Sequence, residues 1–421
     1  MNIVIVGAGP AGLFLAHRLL ALSPSPRVQL YDCQPSPTDL EPATSRGFGL
    51  GLGAKVQQKL SSIEGVEEQL AAEGLELLGG LILIPRRQLC ALLLRSLLLH
   101  HSNQTSDDNT QLSVNFNTSV VDVNLTRREI RIERESGFET VPYDLLVGAD
   151  GIHSIVRRAM MVAKPEAIQF QQQQRPQVWK VLHLPVQPEL QPASRIIRLQ
   201  TRSPQFGLVF GACLPQKQGG FIALMFWQPV GHHDQHNPCG IASVEELQQL
   251  LQEMAPKHLP ALTLDPDQAE AFLAAQPGQE YWSQCRCYHD LEGQAVLMGD
   301  AAHGMFSLLG QGCTAAISDA VSLGSLLQQY GDQVSIVLPQ FSAQQVAAGH
   351  AASDLSLIAL VFYHPWIGLL YKVATLLWVV VLRQPSIFAR LNQVDVSYVQ
   401  VLRENQVWVW LAKKLLSANP S

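Results

Sequence analysis

The first residues able to do chemistry form the run Gly7-Ala8-Gly9-Pro10-Ala11-Gly12, with an acid, Asp32, twenty residues beyond the last glycine. Each part of that pattern has a physical task. Gly7 permits a tight turn, Gly9 lets backbone approach a pyrophosphate, and Gly12 lets a helix pack closely on a strand. The N-terminus of that helix offers free N–H groups and a positive dipole end to phosphate. A carboxylate at Asp32 suits ribose hydroxyls. The elements needed to hold these groups are legible on either side. Asn2 to Val6 is a short β-branched run that predicts a buried parallel strand, Leu13 to Leu22 predicts a helix, and Arg27 to Tyr31 predicts a second strand ending at Asp32. An ordinary glycine turn requires neither the flanking strands nor the acid, so the run reads as a dinucleotide site. No second strand–GxGxxG–helix unit follows, and any second dinucleotide is expected to bind transiently. Gly49, Gly51 and Gly53 alternate as in a close-packed strand or loop.

Two further motifs lie far downstream. Tyr143 to Gly151 predicts a buried strand entering an Asp150-Gly151 turn, with a helix start and Arg157-Arg158 behind it. Ala295 to Met298 predicts another short strand, leading into Gly299-Asp300-Ala301-Ala302-His303, then Gly310-Gln311-Gly312 and an Ala-rich helix from Cys313 to Gln329. The three motifs in this order resemble the FAD-dependent aromatic hydroxylases, most of all the kynurenine monooxygenase branch. The resemblance extends to Ala352-Ser353-Asp354-Leu355-Ser356 and to the Asn405-Gln406-Val407-Trp408 region.

The resemblance implies an α/β fold: a Rossmann-like FAD-binding domain, an inserted antiparallel β-sheet substrate domain and a C-terminal helical region. It implies FAD as cofactor, with NADPH or NADH as transient co-substrate. Gly7, Gly9, Ala11 and Gly12 would line the pyrophosphate, and Asp32 the adenosine ribose, where the family more often has Glu. Arg46 and Arg86 match FAD-contacting arginines, whose planar forks neutralise a diphosphate; as isolated residues they also read as surface cations. Val120, Asp150, Asp300, Gly312, Cys313 and Thr314 fall at further cofactor-contacting positions. Asp150 also suits an N-cap of the following helix, and His303 reads as a supporting rather than a reacting group. Gly310 to Thr314 would open a helix whose N-terminus faces the flavin's pyrimidine end and favours its reduced anion. The family's chemistry is reduction of FAD by NAD(P)H, capture of O2 at the flavin C4a carbon as a hydroperoxide, and transfer of one oxygen atom to an electron-rich substrate. No protein nucleophile is required, and none is assigned.

Departures from the pattern bear on substrate. Kynurenine monooxygenases hold the substrate carboxylate with an Arg and a Tyr just before the Arg86 segment and with an Asn in the C-terminal helices. Here the first stretch is Leu77-Leu78-Gly79-Gly80-Leu81, and the Asn position falls on Ala359. An amino-acid carboxylate beside Gly80 and Ala359 would be left unpaired, at a cost of several kcal/mol. A largely apolar aromatic or polyene substrate, taken with O2, is therefore expected instead of kynurenine. Ser307 stands where the hydroxylases usually have Pro near the flavin edge, and Thr314 replaces a frequent Asn. Those changes leave two alternatives open: a reductase or dehydrogenase of the same fold, and a non-catalytic, membrane-associated flavin-binding protein.

Composition frames these motifs. Of 421 residues, 47 % are hydrophobic and only 15 % charged, with net charge −6, which argues against a disordered chain and against a nucleic-acid binder. Seven cysteines do not make a disulfide scaffold in a chain of this length. No cationic segment precedes Ile3 to Val6, so a cytoplasmic setting is expected. His232, His233, Asp234 and His236 lie in a Gly/Pro-flanked loop without helical spacing, and no metal site is expected. Cys285-Arg286-Cys287 reads as alternation along a strand. The expected FAD-binding domain is discontinuous, residues 1–165 and 285–345, around a β-sheet domain at 166–284 with strands at Trp179 to Pro185, Arg195 to Leu199, Leu208 to Ala212 and Phe221 to Trp227, and an amphipathic helix at Val244 to Met254. Asn103 to Gln111 reads as a polar loop. Residues 346–421 form the apolar helical region. Leu355 to Leu382 reads first as buried helices roofing the site, and second as a monotopic membrane contact with Trp366, Trp378 and Arg383 at the interface; the uncharged run is too short to span a bilayer.

Overall fold

The computed structural model describes residues 1–39, 48–101, 111–135, 137–190, 195–227, 240–257 and 262–418. Asn2–Val6 is the central strand of a six-stranded sheet, flanked by Leu145–Gly148 on one side and Arg27–Tyr31 on the other. Val4, Ile5 and Val6 align in parallel with Leu146, Val147 and Gly148, and with Gln29, Leu30 and Tyr31. Ala295–Leu297 and Leu112–Asn115 extend the parallel sheet, and His289–Asp290 closes one edge antiparallel. Ile3, Val4 and Ile5 are fully buried, as strands covered on both faces must be. The helix predicted from Leu13 begins at Pro10 and runs to Leu20. Proline suits that first position, because its missing N–H would have had no intrahelical partner. This helix packs against Arg86–His101 and Gly312–Tyr330.

The inserted unit is a five-stranded antiparallel sheet in the order Ile197–Ser203, Gly207–Pro215, Phe221–Trp227, Gln171–Leu184, Gly278–Gln284. The last of these strands and the Gln171–Gln174 extension carried no strand prediction, since their Gln-rich composition masks the alternation. One face of the sheet buries Ala223, Met225 and Trp227 against the Val244–Met254 and Pro266–Ala274 helices. The intervening Leu224 and Phe226 point the other way, into a cavity between this sheet and the dinucleotide unit.

Two predictions are corrected. Cys285-Arg286-Cys287 is not a strand but the bend linking Gly278–Gln284 to His289–Asp290, with Cys285 buried and Cys287 half-buried. The C-terminal helices are not uniformly buried. Leu355, Leu357, Ile358, Ala359 and Val361 lie in the core, and the apolar Val334–Phe362 stretch, long enough to cross a bilayer, is 61 % buried inside the fold. The Pro365–Leu376 helix is held chiefly by Tyr371, packed edge-on against Trp408 and Phe362. Its continuation, the π-helical turn Leu377–Val381, buries nothing. Leu376 to Leu382 are seven consecutive apolar residues, each between 38 % and 66 % exposed. Seven successive helical residues point in every direction, so one core cannot cover them all. Arg46 and the 232–236 histidine cluster lie outside the described residues, as does all but Gln111 of the Asn103 to Gln111 loop.

Candidate functional site

The glycine turn sits at the C-terminal end of the central strand, between Asp32 and Ala149-Asp150, where the strand order reverses direction. This is the crevice in which open α/β sheets bind ligands. The close approach is literal: a Cβ on Gly12 would lie 2.0 Å from the Gly7 carbonyl oxygen, and one on Gly7 2.3 Å from that of Ala149. Asp32 braces the turn, accepting the Ala8 N–H on one oxygen (2.7 Å) and the Gln34 N–H on the other (2.8 Å). Gly9 caps the Pro10–Leu20 helix without a side-chain acceptor, so its first-turn N–H groups stay open to an anion. The Arg86 guanidinium reaches the same point, with Nη2 only 3.3 Å from where a Gly9 Cβ would stand.

The mid-chain and late motifs converge here. Asp150 Oδ2 accepts the Ile155 N–H at 2.7 Å, but the N-cap of that helix is Ser154, whose Oγ accepts the Arg157 N–H at 3.0 Å; burial raises the Asp150 carboxyl above the usual range. The buried Arg157 donates to the carbonyls of Ala301 (2.8 Å) and Ile152 (2.5 Å), tying the two motifs together. Gly299, at φ +59°, stacks between Ala316 and Ala11, which joins the late motif to the first helix. Its N–H donates to Asp319 Oδ2 (2.8 Å), and the same oxygen lies 2.6 Å from His303 Nε2. Burial pulls the His303 imidazole down, but Asp319 outweighs it and the net shift is upward. Sequence reasoning missed Asp319, whose signal would have been one polar residue on the inner face of an Ala-rich helix. Asp300 is solvent-reached and lines the cavity, yet crowding by protein raises its carboxyl, with Arg86 pulling the other way.

Gly310 (φ +63°) turns the chain into the Gly312–Tyr330 helix, whose N-terminus has no side-chain cap. Gln311 is fixed by the Tyr398 hydroxyl at 3.0 Å. Thr314 is buried and Cys313 half-buried, its thiol pushed up to about 12 by burial. Val120 stands at a bulge of the Ser119–Asn124 strand, half-buried in a separate three-stranded meander.

The cavity, of about 140 Å³, is walled by Phe48, Trp179, Phe226, Tyr281, Leu224 and Ile152, and on the opposite side by Asp300, Gly304, Met305 and Ser307. The segment carrying these last residues is clamped by foreign side chains. Ser283 Oγ accepts the Gly304 N–H (2.9 Å), Ser356 Oγ that of Phe306 (3.0 Å), and Glu280 Oε1 that of Ser307 (2.7 Å). Glu280 also lines the cavity; nothing in the sequence announced it. Gly80 and Ala359 are not among the lining residues: Gly80 sits at φ +76° in a turn, and Ala359 is fully buried in the C-terminal core.

Two uncapped helix N-termini, a glycine cradle that side chains would fill, a guanidinium beside it and carboxylates placed for sugar hydroxyls fit a dinucleotide carrying a second ring system. The chain resembles the kynurenine 3-monooxygenase of Anopheles gambiae, at 24 % identity over 376 residues covering 85 % of this chain and 73 % of that protein. The Sus scrofa kynurenine 3-monooxygenase matches at 25 % over 377 residues, covering 85 % and 75 %. The tetrameric form of 2-methyl-3-hydroxypyridine-5-carboxylic acid oxygenase shares the fold, with TM-score 0.64 at 16 % identity over 84 % of this chain and 89 % of that one. The FAD binding domain family matches residues 93–343, more than half of the sequence. The chain therefore belongs to the FAD binding domain family, as an FAD-dependent monooxygenase similar to the kynurenine 3-monooxygenases.

Proposed function

We propose that the protein hydroxylates or epoxidises a small, largely apolar aromatic or polyene substrate with NAD(P)H and O2. The observation that carries this reading is the aromatic cavity facing the Asp300–Ser307 segment, with no cation among its described lining residues. Bound FAD would supply hydride acceptance from NAD(P)H and the activation of O2; the chain's residues do the rest. Gly7, Gly9, Ala11 and Gly12 give backbone access to the diphosphate, with Arg86 as its counter-charge. Asp32 takes the adenosine ribose while bracing the turn, and Asp300 takes the polyol chain or the diphosphate's solvent. The N-terminus of the Gly312–Tyr330 helix, at Gly312, Cys313 and Thr314, stabilises negative charge on the reduced ring. The antiparallel sheet covers one side of the cavity and keeps water out, which favours oxygen transfer over peroxide release.

Kynurenine is a poor candidate. Its carboxylate would meet Glu280 on the cavity wall and find no cation among the described lining residues to pair with it. Ser307 supports the reductase reading as the rival, since its N–H is fixed to Glu280 where the hydroxylases carry Pro. One experiment separates them: NAD(P)H oxidation, oxygen uptake and peroxide are followed together across aromatic and isoprenoid compounds. Substrate-dependent oxidation matched by oxygen uptake without peroxide supports oxygen transfer. Oxidation without oxygen uptake selects the reductase, and kynurenine turnover at ordinary rates overturns the substrate assignment.

A peripheral membrane contact accompanies this reading. Trp366, 79 % exposed, begins an apolar surface that ends at Arg383. In the C-terminal region the cations Lys372, Arg383, Arg390, Arg403, Lys413 and Lys414 outnumber Asp354, Asp395 and Glu404. Exposure on every side of Leu376 to Leu382 suits immersion in a fluid apolar phase better than one flat partner. The same core cluster that anchors this surface through Tyr371 contains Phe306 and Leu309, beside the cavity segment.

A further inference from the structure

Arg175 is among the largest fully buried side chains, 2 % exposed. It lies in the Gln171–Leu184 strand where the register against Gly278–Gln284 shifts between Gln174 and Val178. Such a bulge re-aims a side chain, and this one turns the guanidinium inward. Nη1 donates to Glu280 Oε2 at 2.5 Å and Nε to Gln177 Oε1 at 2.8 Å. The guanidinium carbon stands 5.4, 5.5 and 5.7 Å from the ring centres of Phe306, Phe226 and Phe210. Glu280 lies between this cage and the cavity: its side chain lines the cavity, and Arg175 is directly behind it.

A planar cation in an aromatic cage, bonded to a residue of an aromatic cavity's wall, is a ready-made receptor for a carboxylate. Here the chain's own carboxylate fills the receptor. A buried pair with only a packing role is often replaceable by apolar side chains at no loss of stability, so its position on the cavity wall is the informative feature.

We propose that Glu280 determines specificity by occupying the Arg175 site that a substrate carboxylate would otherwise take. The cavity then admits neutral aromatic molecules and excludes their carboxylate-bearing counterparts. Glu280 adds a repulsive element against the wrong ligand. This inference rests on the cavity being the substrate site.

The test uses FAD-loaded wild type, Glu280→Ala and the double variant Arg175→Met/Glu280→Met, with benzamide and benzoate as the neutral and charged probes in calorimetric titrations. Wild type is expected to prefer benzamide by about 100-fold, the scale of an unpaired charge facing like charge. Glu280→Ala uncovers Arg175, and that preference should fall at least tenfold through tighter benzoate binding. The double variant lacks the cation and should exclude benzoate again. A folded Glu280→Ala protein with an unchanged ratio, or a double variant that gains benzoate binding, overturns the proposal. Should Glu280→Ala prove unstable, acetate is expected to restore its melting temperature and flavin content where chloride of equal ionic strength does not; equal effects of the two salts overturn it. A wild type that binds neither probe sinks the cavity assignment, and the acetate comparison then decides the Arg175 site by itself.

Discussion

Replacing Leu376, Val380 and Val381 by serine tests the membrane contact. These side chains are 61 %, 62 % and 66 % exposed, so the substitutions remove little packing from the folded protein. Full burial of such a side chain is worth about 2 kcal/mol, so moving the exposed three-fifths into lipid contributes about 1.2 kcal/mol each. Three together amount to about 3.5 kcal/mol, or about 300-fold in partitioning. The assay is co-sedimentation with vesicles of mixed phosphatidylcholine and phosphatidylserine, alongside thermal melting of the free protein. Wild type is expected in the pellet and the triple variant in the supernatant, with equal melting temperatures. Raising the salt should weaken wild-type binding only in part, because screening acts on Lys372, Arg383, Arg403 and Lys414 and leaves the apolar term intact. The reasoning is refuted if wild type stays in the supernatant, or if the triple variant sediments as wild type does.

Three further outcomes follow from the site. Gly12→Ala places a methyl 2.0 Å from the Gly7 carbonyl oxygen, and a turn displaced by even about 1.4 kcal/mol loses tenfold in cofactor affinity; flavin content of the purified variant reads this directly. Asp319→Asn breaks the buried pair with His303 and should cost about 3–5 kcal/mol in denaturant unfolding of the apoprotein. Because the folded His303 value is raised, its stabilisation is complete below the unfolded value of about 6.5 and is lost as pH rises through the folded one, and the variant should lose that slope. Burial opposes ionisation of Cys287, but the His289 contacts draw its thiol down to about 7, so mass spectrometry should find half-maximal alkylation near neutral pH while the buried Cys90, Cys213 and Cys285 stay unmodified.

Much of the nucleotide unit was legible because its signals are local. The Asn2–Val6 and Arg27–Tyr31 strands and the glycine turn each depend on residues a few positions apart, and all appear where the spacing placed them, whereas the N-cap read at Asp150 falls on Ser154. The inserted sheet was read in four of its five strands, and Gly278–Gln284 was missed because polar and aromatic residues come there in adjacent pairs, Gln279-Glu280 and Tyr281-Trp282, which breaks the period of two. The cavity wall was the least legible part. Glu280 and Arg175 are 105 positions apart, and only a bulged register brings them together. Gly80 and Ala359, chosen by analogy, lie off the observed lining, because Gly80 falls in a turn and the helix carrying Ala359 turns it into the C-terminal core. The exposure of Leu376 to Leu382 was equally hidden, since composition records that residues are apolar and not what covers them.

The clamp on Gly304 to Ser307 carries a consequence for how this enzyme can change. Two of its three acceptors, Ser283 and Glu280, stand on a strand that also builds the cavity, and the third, Ser356, belongs to the C-terminal core. On the proposed reading, mutation in that strand to accommodate a new molecule also shifts the Gly304 to Ser307 segment, and gains in selectivity arrive tied to losses in coupling. Positions that face the cavity from outside the clamp, Trp179, Leu224 and Phe48, carry no such bond. With the cavity as the proposed substrate site, those are the positions where drift can try new substrates one at a time, and diversification of this lineage should be concentrated there.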